Sequence, residues 1–276
     1  MLQINCKGRL LSSERPVVMG ILNVTPDSFF TKGRANSLQE HIENAGKMLE
    51  SGALIIDIGG LSTRPGAIGI NASEEFERVG PVIENIKKHF PQAFISIDTY
   101  RASVAKQSIE AGADIVNDIS AGNMDAGMIP EVAKWNVPYI AMHMQGTPQT
   151  MQQQPSYQNV VMEVTDFFIK KTKECESAGI KDIILDPGFG FGKTLEHNYQ
   201  LLKGMHHFQM LTYPVLAGLS RKSMIYKLLE TSADEALNGT AVLNTLALAQ
   251  KAAILRVHDV KEAMETIQLF SYYQTI

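Results

Sequence analysis

The chain has 276 residues, of which 45% are hydrophobic and 20% are charged, a composition typical of globular proteins. Its 25 basic and 29 acidic residues give a formal net charge of -4, without the positive surface that nucleic-acid binding requires. Cys6 and Cys175 lie far apart and indicate neither a disulfide framework nor a zinc site. The sequence has no signal-peptide core and no apolar run as long as a membrane span, so we expect a cytoplasmic protein that binds neither membranes nor nucleic acid.

The opening residues alternate between polar and apolar side chains and predict a short N-terminal β-hairpin. Eight short apolar runs follow, and each leads through a polar residue or glycine into a helical pattern. The runs cover residues 17–24, 54–58, 94–97, 115–119, 139–142, 183–185, 215–219 and 254–257. Because they are apolar at both odd and even positions, they predict strands of a parallel sheet that helices cover.

Helical patterns at residues 38–50, 73–89 and 101–111 lie between these runs. Gly52, Gly112 and Gly179 each stand just before a predicted strand, where a helix commonly ends in a left-handed cap. No linker divides the chain, so we predict a single domain over residues 1–276. The even spacing of eight β/α units favours a (β/α)8 TIM barrel with the short hairpin at its N-terminus, and a doubly wound open sheet is the alternative.

The residues that follow the apolar runs are polar throughout, and in a (β/α)8 barrel this end of the strands holds the active site. They are Asn23, Asp57, Asp98, Asn117, His143, Asp186, the segment 220–222, Arg256 and His258. Single positions of this kind are often helix caps, but a complete ring of them indicates a binding site. Its carboxylates and amide suit a flat nitrogen heterocycle. Its cations, with Arg64, suit a phosphate or diphosphate.

A glycine-rich segment, residues 188–194, resembles a phosphate-binding loop only weakly, because Pro187 stands where that motif needs glycine. Lys193 likewise occupies the position of the third glycine in the dinucleotide-binding pattern. We therefore interpret the glycines as allowing close approach to a ligand, with Phe189 or Phe191 as an aromatic wall. A tight strand-to-helix turn is the alternative.

Several longer motifs occur in order along the chain: NVTPDSF at 23–29, STRPG at 62–66, SIDT at 96–99, VND at 116–118, HMQGTP at 143–148, DPGFGFGK at 186–193, SRK at 220–222 and RVHDV at 256–260. Together they resemble the motifs of the dihydropteroate synthases, from Met19 to Val260. That family comprises (β/α)8 enzymes of folate biosynthesis. They join 7,8-dihydropterin-6-ylmethyl diphosphate to 4-aminobenzoate and release diphosphate.

The resemblance implies roles for individual residues. The pterin would be bound by Asp98, Asn117, Asp186 and Lys222. The diphosphate would face Asn23, Thr63, Arg256, Val257 and His258, and Asn23 would also help to hold Mg²⁺. The aromatic acid, and sulfonamides in competition with it, would contact Phe29, Arg64, Pro65, Phe191 and Ser223. Catalytic roles would fall to Asp98, Asp186, Lys222 and Arg256, in a dissociative reaction that forms a cationic pterin.

Two loop positions depart from the family pattern, since Thr31 and Leu61 replace residues that are usually acidic. A catalytically silent pterin-binding protein is therefore one alternative, and a pterin-binding methyltransferase is another. STRP, SRK and RVH argue together against the methyltransferase, because that reaction needs no diphosphate clamp.

The remaining features have simpler interpretations. We expect His206 and His207 at the surface, His143 in a supporting position behind the ligand, and Trp135 in packing. The helical segment 233–253 is apolar on a broad face, and we favour a homodimer surface there because dimers are common in the family.

Overall fold

A computed structural model describes residues 2–24, 38–61, 69–151 and 155–276. The chain begins with an antiparallel hairpin of β1 (Leu2–Cys6) and β2 (Arg9–Ser13), as predicted. Lys7 and Gly8 form its turn with φ angles of 51° and 86°. Two successive positive φ angles match the twist of two-residue hairpin loops.

Eight parallel strands follow within the described residues, and they form one sheet in the order β8-β7-β6-β5-β4-β3-β10-β9. They are β3 (Val17–Asn23), β4 (Ile55–Gly59), β5 (Phe94–Asp98), β6 (Ile115–Asp118), β7 (Tyr139–Met142), β8 (Ile183–Asp186), β9 (Leu216–Ala217) and β10 (Ile254–Val257). A parallel bridge between Leu185 and Val215 brings the two edges of the sheet together. This confirms the (β/α)8 barrel and excludes the open doubly wound sheet.

Helices surround the strands. They are α1 (Leu38–Glu50), α2 (Ala72–His89), α3 (Ala102–Ala111), α4 (Met128–Trp135), α5 (Val160–Ala178), α6 (Leu195–Gly204), α7 (Ser223–Tyr226), α8 (Leu237–Ala249) and α9 (Val260–Tyr273), with a 3-10 helix at Met205–Leu211. Gly52, Gly112 and Gly179 have φ angles of 104°, 121° and 100°, which confirms their predicted place at helix ends. Among the helices described, none is long and apolar enough to span a membrane.

The core has two layers. One lies between the strands and the surrounding helices, and the other fills the interior of the barrel. The interior layer holds Met19, Ile55, Ile115, Ile184 and Ile254 from the strands, and the side chains of Leu2, Ile4 and Leu11 pack beneath them. The hairpin thus seals the amino-terminal end of the barrel and leaves the carboxyl end for function.

A charged cluster fastens the hairpin at this sealed end. Asp114, which directly precedes β6, is buried and lies 2.6 Å from the ammonium nitrogen of Lys87. Its second oxygen lies 3.6 Å from the guanidinium of Arg9 in β2. The backbone N–H of Ile95 also donates to the Asp114 carboxylate, at 2.9 Å. Asp114 is therefore a structural carboxylate at the end of the barrel opposite the strand ends that hold the polar ring.

Candidate active site

The polar residues of the barrel mouth lie one layer above the apolar interior. In four strands an interior isoleucine is followed two residues later by a polar residue. The pairs are Ile55 and Asp57, Ile115 and Asn117, Ile184 and Asp186, and Ile254 and Arg256. Because successive side chains of a strand point to opposite faces, both members of a pair point into the barrel.

Arg256 joins residues from four strands. Its Nε donates to Oδ2 of Asp57 at 2.6 Å, and its Nη2 donates to Oδ2 of Asp98 at 2.6 Å. The side-chain amide of Asn117 donates to the same Asp57 oxygen at 3.0 Å. The acidic groups that we expected to bind a heterocycle and the cation that we expected to bind a phosphate are therefore in direct contact at this point.

Burial sets the protonation of this cluster. Burial raises the pKa of Asp98 to about 7, while Arg256 opposes the rise and the carboxylates of Asp57, Glu75 and Asp118 add to it. Burial also disfavours the charged form of Arg256, but Asp57 and Asp98 outweigh this effect and hold its pKa above the ordinary value. Arg256 consequently remains a cation, and Asp98 is the member of the cluster that titrates near neutral pH.

Asp186 and Lys222 form the second half of the mouth. Asp186 ends β8 and accepts a hydrogen bond from the backbone N–H of Gly188 at 2.8 Å. Burial raises its pKa, while Lys222 and that hydrogen bond lower it. Burial lowers the pKa of Lys222 to about 8, with Asp186 opposing and Arg256 reinforcing the shift. The charge of Arg256 affects the pKa values of Asp98, Asp186 and Lys222, so these four side chains lie near one another at the barrel mouth.

Glycines in the loop beside Lys222 are needed for the conformation and packing of the loop itself. Gly188 and Gly192 have φ angles of 68° and 62°, and a Cβ on them would lie 1.9 Å from the carbonyl oxygen of His143 and 2.4 Å from that of Gln145. These two glycines are thus required by the close approach of the loop to the end of β7.

Phe189 and Phe191 have different positions in this loop. Phe189 is completely buried in the layer beneath the helices. The Phe191 ring lies 4.9 Å from the Lys222 ammonium nitrogen, at cation–π distance. Phe191 is therefore the aromatic residue that faces the site.

His258, which the resemblance assigned to the diphosphate, contacts the SRK segment. The Ser220 hydroxyl lies 3.0 Å from Nδ1 of His258 and also accepts the His258 backbone N–H at 3.2 Å. Arg221 forms two hydrogen bonds of 2.8 Å to Asp259, so this middle residue of the SRK motif joins two segments of the mouth. The Val257 side chain is fully buried in the layer beneath the helices, which leaves only its backbone for a ligand.

Asn23 is the residue described here that suits a metal ion. Its exposed side chain ends β3, and a Cβ built at Gly59 would lie 3.8 Å from Oδ1 of Asn23 and 3.9 Å from Oδ2 of Asp98. A Cβ at this position would be in ordinary van der Waals contact with both oxygens, so the glycine keeps a side chain out of the space beside them. Mg²⁺ commonly takes one or two protein oxygens and completes its octahedron with water and phosphate. The described residues contain no cluster of three or more His, Cys, Asp or Glu side chains able to bind a metal.

The residues that the resemblance assigned to 4-aminobenzoate are only partly described. Ser223 is half-buried at the start of α7, directly after Lys222, and Phe191 lies beside that lysine. Phe29, Arg64 and Pro65 lie outside the described residues, as do Thr63 of the diphosphate set and the departure at Thr31.

Two residues of functional interest had been assigned no role in binding. Asp57 appeared only as a strand end, yet it receives both Arg256 and Asn117. Its position two residues after Ile55 is the sequence signal that places it in the barrel mouth. Lys193 is buried beside His143, a contact between residues 50 positions apart for which the sequence offers no signal.

The three histidines His143, His206 and His207 lie in two different environments. His143 is buried and contacts Lys193 through Nδ1. His206 and His207 are exposed, and they contact Gln250 and the Gly204 carbonyl oxygen, respectively.

Comparisons with known proteins agree with this architecture. Residues 19–258 match the family model described as pterin binding enzyme. The dihydropteroate synthase of Escherichia coli (strain K12) is 45% identical over 270 residues, which cover 97% of this chain and 95% of the relative. The Yersinia pestis dihydropteroate synthase in a sulfonamide drug complex superimposes with a TM-score of 0.95 at 41% identity, with 100% of both chains covered. The Xanthomonas albilineans enzyme in complex with 7,8-dihydropteroate gives a TM-score of 0.89 at 35% identity, again over 100% of both chains.

A closed parallel barrel whose carboxyl-end mouth combines acidic, amide and cationic side chains defines a (β/α)8 transferase with a pterin site. The chain belongs to the dihydropteroate synthase family of pterin-binding enzymes.

Proposed function

We propose that the protein joins 7,8-dihydropterin-6-ylmethyl diphosphate to 4-aminobenzoate, forming 7,8-dihydropteroate and diphosphate in folate biosynthesis. The observation that carries this proposal is the contact of Arg256 with the carboxylates of Asp57 and Asp98, beside the amide of Asn117. These side chains place hydrogen-bond donors and acceptors at one level of the barrel mouth. A flat heterocycle with N–H groups and ring nitrogens requires both. The family membership of the chain supports the same reaction.

The charges of the mouth suit a dissociative reaction. Breaking the carbon–oxygen bond leaves positive charge on the pterin and negative charge on the departing diphosphate. The carboxylates of Asp98 and Asp186 stabilise the cation, while Arg256 and His258 stabilise the anion. The neutral nitrogen of 4-aminobenzoate then attacks a carbon that is already cationic and needs no strong general base.

Asn23 would hold Mg²⁺ together with oxygens of the diphosphate and water. When bound, the ion supplies further neutralisation of the leaving group. Oδ1 of Asn23 and Oδ2 of Asp98 both lie within 4 Å of the position that a Cβ on Gly59 would take, and this proximity supports the assignment.

The two alternative functions, a methyltransferase and a silent pterin-binding protein, differ from the synthase because neither releases diphosphate. A pterin-binding methyltransferase would bind the pterin without needing the cations of the diphosphate side. A silent pterin-binding protein would bind the diphosphate ester without cleaving it. Arg256 and His258, at the end of β10, favour the synthase over the methyltransferase.

Release of diphosphate distinguishes the three. The purified protein is incubated with the pterin diphosphate alone and with both substrates, each with Mg²⁺ or with a chelator, and diphosphate and dihydropteroate are measured. We expect equal amounts of both products, formed only with both substrates and faster with Mg²⁺. Pterin binding without turnover would instead identify the silent protein. No binding of the pterin diphosphate would exclude the synthase.

Sulfonamides provide a second test of the 4-aminobenzoate site at Phe191 and Ser223. We expect a sulfonamide to raise the KM for 4-aminobenzoate without changing kcat. Inhibition that persists at saturating 4-aminobenzoate would place the drug elsewhere.

We also propose a homodimer through α8. Val242 and Leu246 lie one helical turn apart on this helix and are 52% and 47% exposed. Replacing both with glutamate should convert a dimer to a monomer in light scattering after size exclusion. Leu10→Glu, which places a charge at an exposed apolar residue of the hairpin, is the control. A wild-type monomer at micromolar concentration would refute the dimer.

A further inference from the structure

Lys193 ends the glycine-rich motif, and its ammonium group points into the protein. The residue is 3% exposed, so its charge is not available to a phosphate in the mouth. Its Nζ donates to the carbonyl oxygens of Gly188 at 2.9 Å and Phe191 at 3.0 Å. It also lies 3.0 Å from Nδ1 and 3.3 Å from the carbonyl oxygen of His143. An ammonium has three protons and no acceptor, so these four oxygen and nitrogen atoms satisfy it completely.

His143 is suited to accept from this lysine. Burial, and then the charge of Lys193, lower the pKa of His143 to about 2, so the ring stays neutral and Nδ1 keeps its lone pair. The ring is held edge-on against Phe167, at a centroid distance of 4.9 Å. Lys193 therefore connects the end of β7 to the loop after β8 through a fixed partner.

The loop that Lys193 fastens contacts Asp186 and Lys222 through Gly188, Phe189 and Phe191. The Gly188 N–H donates to Asp186, and the Phe189 carbonyl accepts the ammonium of Lys222. The Phe191 ring faces the same ammonium. Without the Lys193 donor, three carbonyl oxygens and Nδ1 of His143 would lose a partner, which favours movement of the loop.

We propose that Lys193 is a positioning residue, which holds the 188–192 loop against His143 and thereby directs Lys222 and Phe191 into the substrate sites. This inference rests on the proposed function for the identity of the substrates. Lys193 acts through Lys222 and does not touch the reacting atoms.

The test replaces Lys193 with methionine, which has a similar length and no donor. Binding of the pterin diphosphate is titrated directly without 4-aminobenzoate, and KM and kcat are measured for both substrates. We expect the pterin Kd to rise about tenfold to a hundredfold, as when one charge-assisted hydrogen bond to a ligand is misplaced. The KM for 4-aminobenzoate should rise as well, because Phe191 moves with the loop.

Lys171→Met is the matched control. Lys171 is also buried, and its ammonium bonds Asn123 and Glu174 on the helical side of the barrel. We expect this variant to lose thermal stability while its pterin Kd stays unchanged. An equal rise in Kd for both variants would show general destabilisation and overturn the proposal.

A double-mutant cycle isolates the contact with His143. His143→Phe removes the acceptor, and adding it to Lys193→Met should raise the pterin Kd no further than the single change does. If Lys193→Met does not fold, the His143→Phe variant alone tests the positioning role of Lys193. Its Kd for the pterin diphosphate is expected to rise about threefold or more. A Kd within about twofold of wild type in a folded variant would overturn the inference. If the wild type itself does not bind the pterin diphosphate, the proposed function fails instead.

Discussion

Replacing Asp57 with asparagine tests the cluster of Arg256, Asp57, Asp98 and Asn117 that we propose binds the pterin. Asp57 is 1% exposed and receives Arg256 at 2.6 Å and Asn117 at 3.0 Å. A hydrogen bond to a charged group contributes about 1.5–3 kcal/mol, and asparagine keeps one oxygen acceptor, so we take a loss of about 1.5–2 kcal/mol. This corresponds to a fall in kcat/KM for the pterin diphosphate of about 10-fold to 30-fold.

The assay follows initial rates of diphosphate release at saturating 4-aminobenzoate, with thermal unfolding of each variant measured alongside. Asp114→Asn is the control, because Asp114 is equally buried and paired with a cation but lies at the sealed end of the barrel. It should lower the melting temperature and leave kcat/KM unchanged. A folded Asp57→Asn variant with kcat/KM within about twofold of wild type would refute the assigned role of the cluster.

Lys222→Ala and Asp186→Ala should each nearly abolish turnover while circular dichroism shows an intact fold, and retained turnover in a folded variant removes that residue from the catalytic set. The kcat/KM for the pterin diphosphate should fall below pH about 7 as Asp98 gains a proton and above pH about 8 as Lys222 loses one. Lys222→Arg should remove the alkaline fall in whatever activity remains, because a guanidinium keeps its proton there, and a persisting fall would assign it to another group. Thr31→Asp restores the usual loop carboxylate, and a large gain in turnover would show that threonine impairs the natural loop.

The barrel was predictable because its determinants are local. The runs at 139–142 and 254–257 and the helix at 38–50 coincide with β7, β10 and α1. β9 is shorter than the predicted run 215–219, since regular pairing covers only Leu216 and Ala217 and reaches Val215 through one bridge. Residues that follow Ala217 already belong to the mouth, where Lys222 folds back over Gly218 at 3.8 Å from a Cβ built there. The single domain and the cytoplasmic location stay predictions.

The sequence predicted which residues lie in the candidate site but not which of them contact one another. The ring of strand ends located Asp98, Asn117, Asp186 and Arg256, because strand ends must converge in a closed barrel. The direct pairing of Arg256 with Asp57 and Asp98 depends on side-chain reach across the barrel interior, which no local pattern encodes. The inward direction of Lys193 likewise depends on the distant ring of His143.

The partners of Arg256 have a consequence for folding and for engineering. Asp98 and Asp57 lie 158 and 199 positions away along the chain, and β10 reaches them only by pairing with β3 at the start of the barrel. A truncated chain that ends before residue 254 retains both carboxylates but has no cation between them. Under the proposed role of this cluster, affinity for a pterin therefore reports that β10 has met β4 and β5, and it provides a readout of barrel closure that spectroscopic helix content does not.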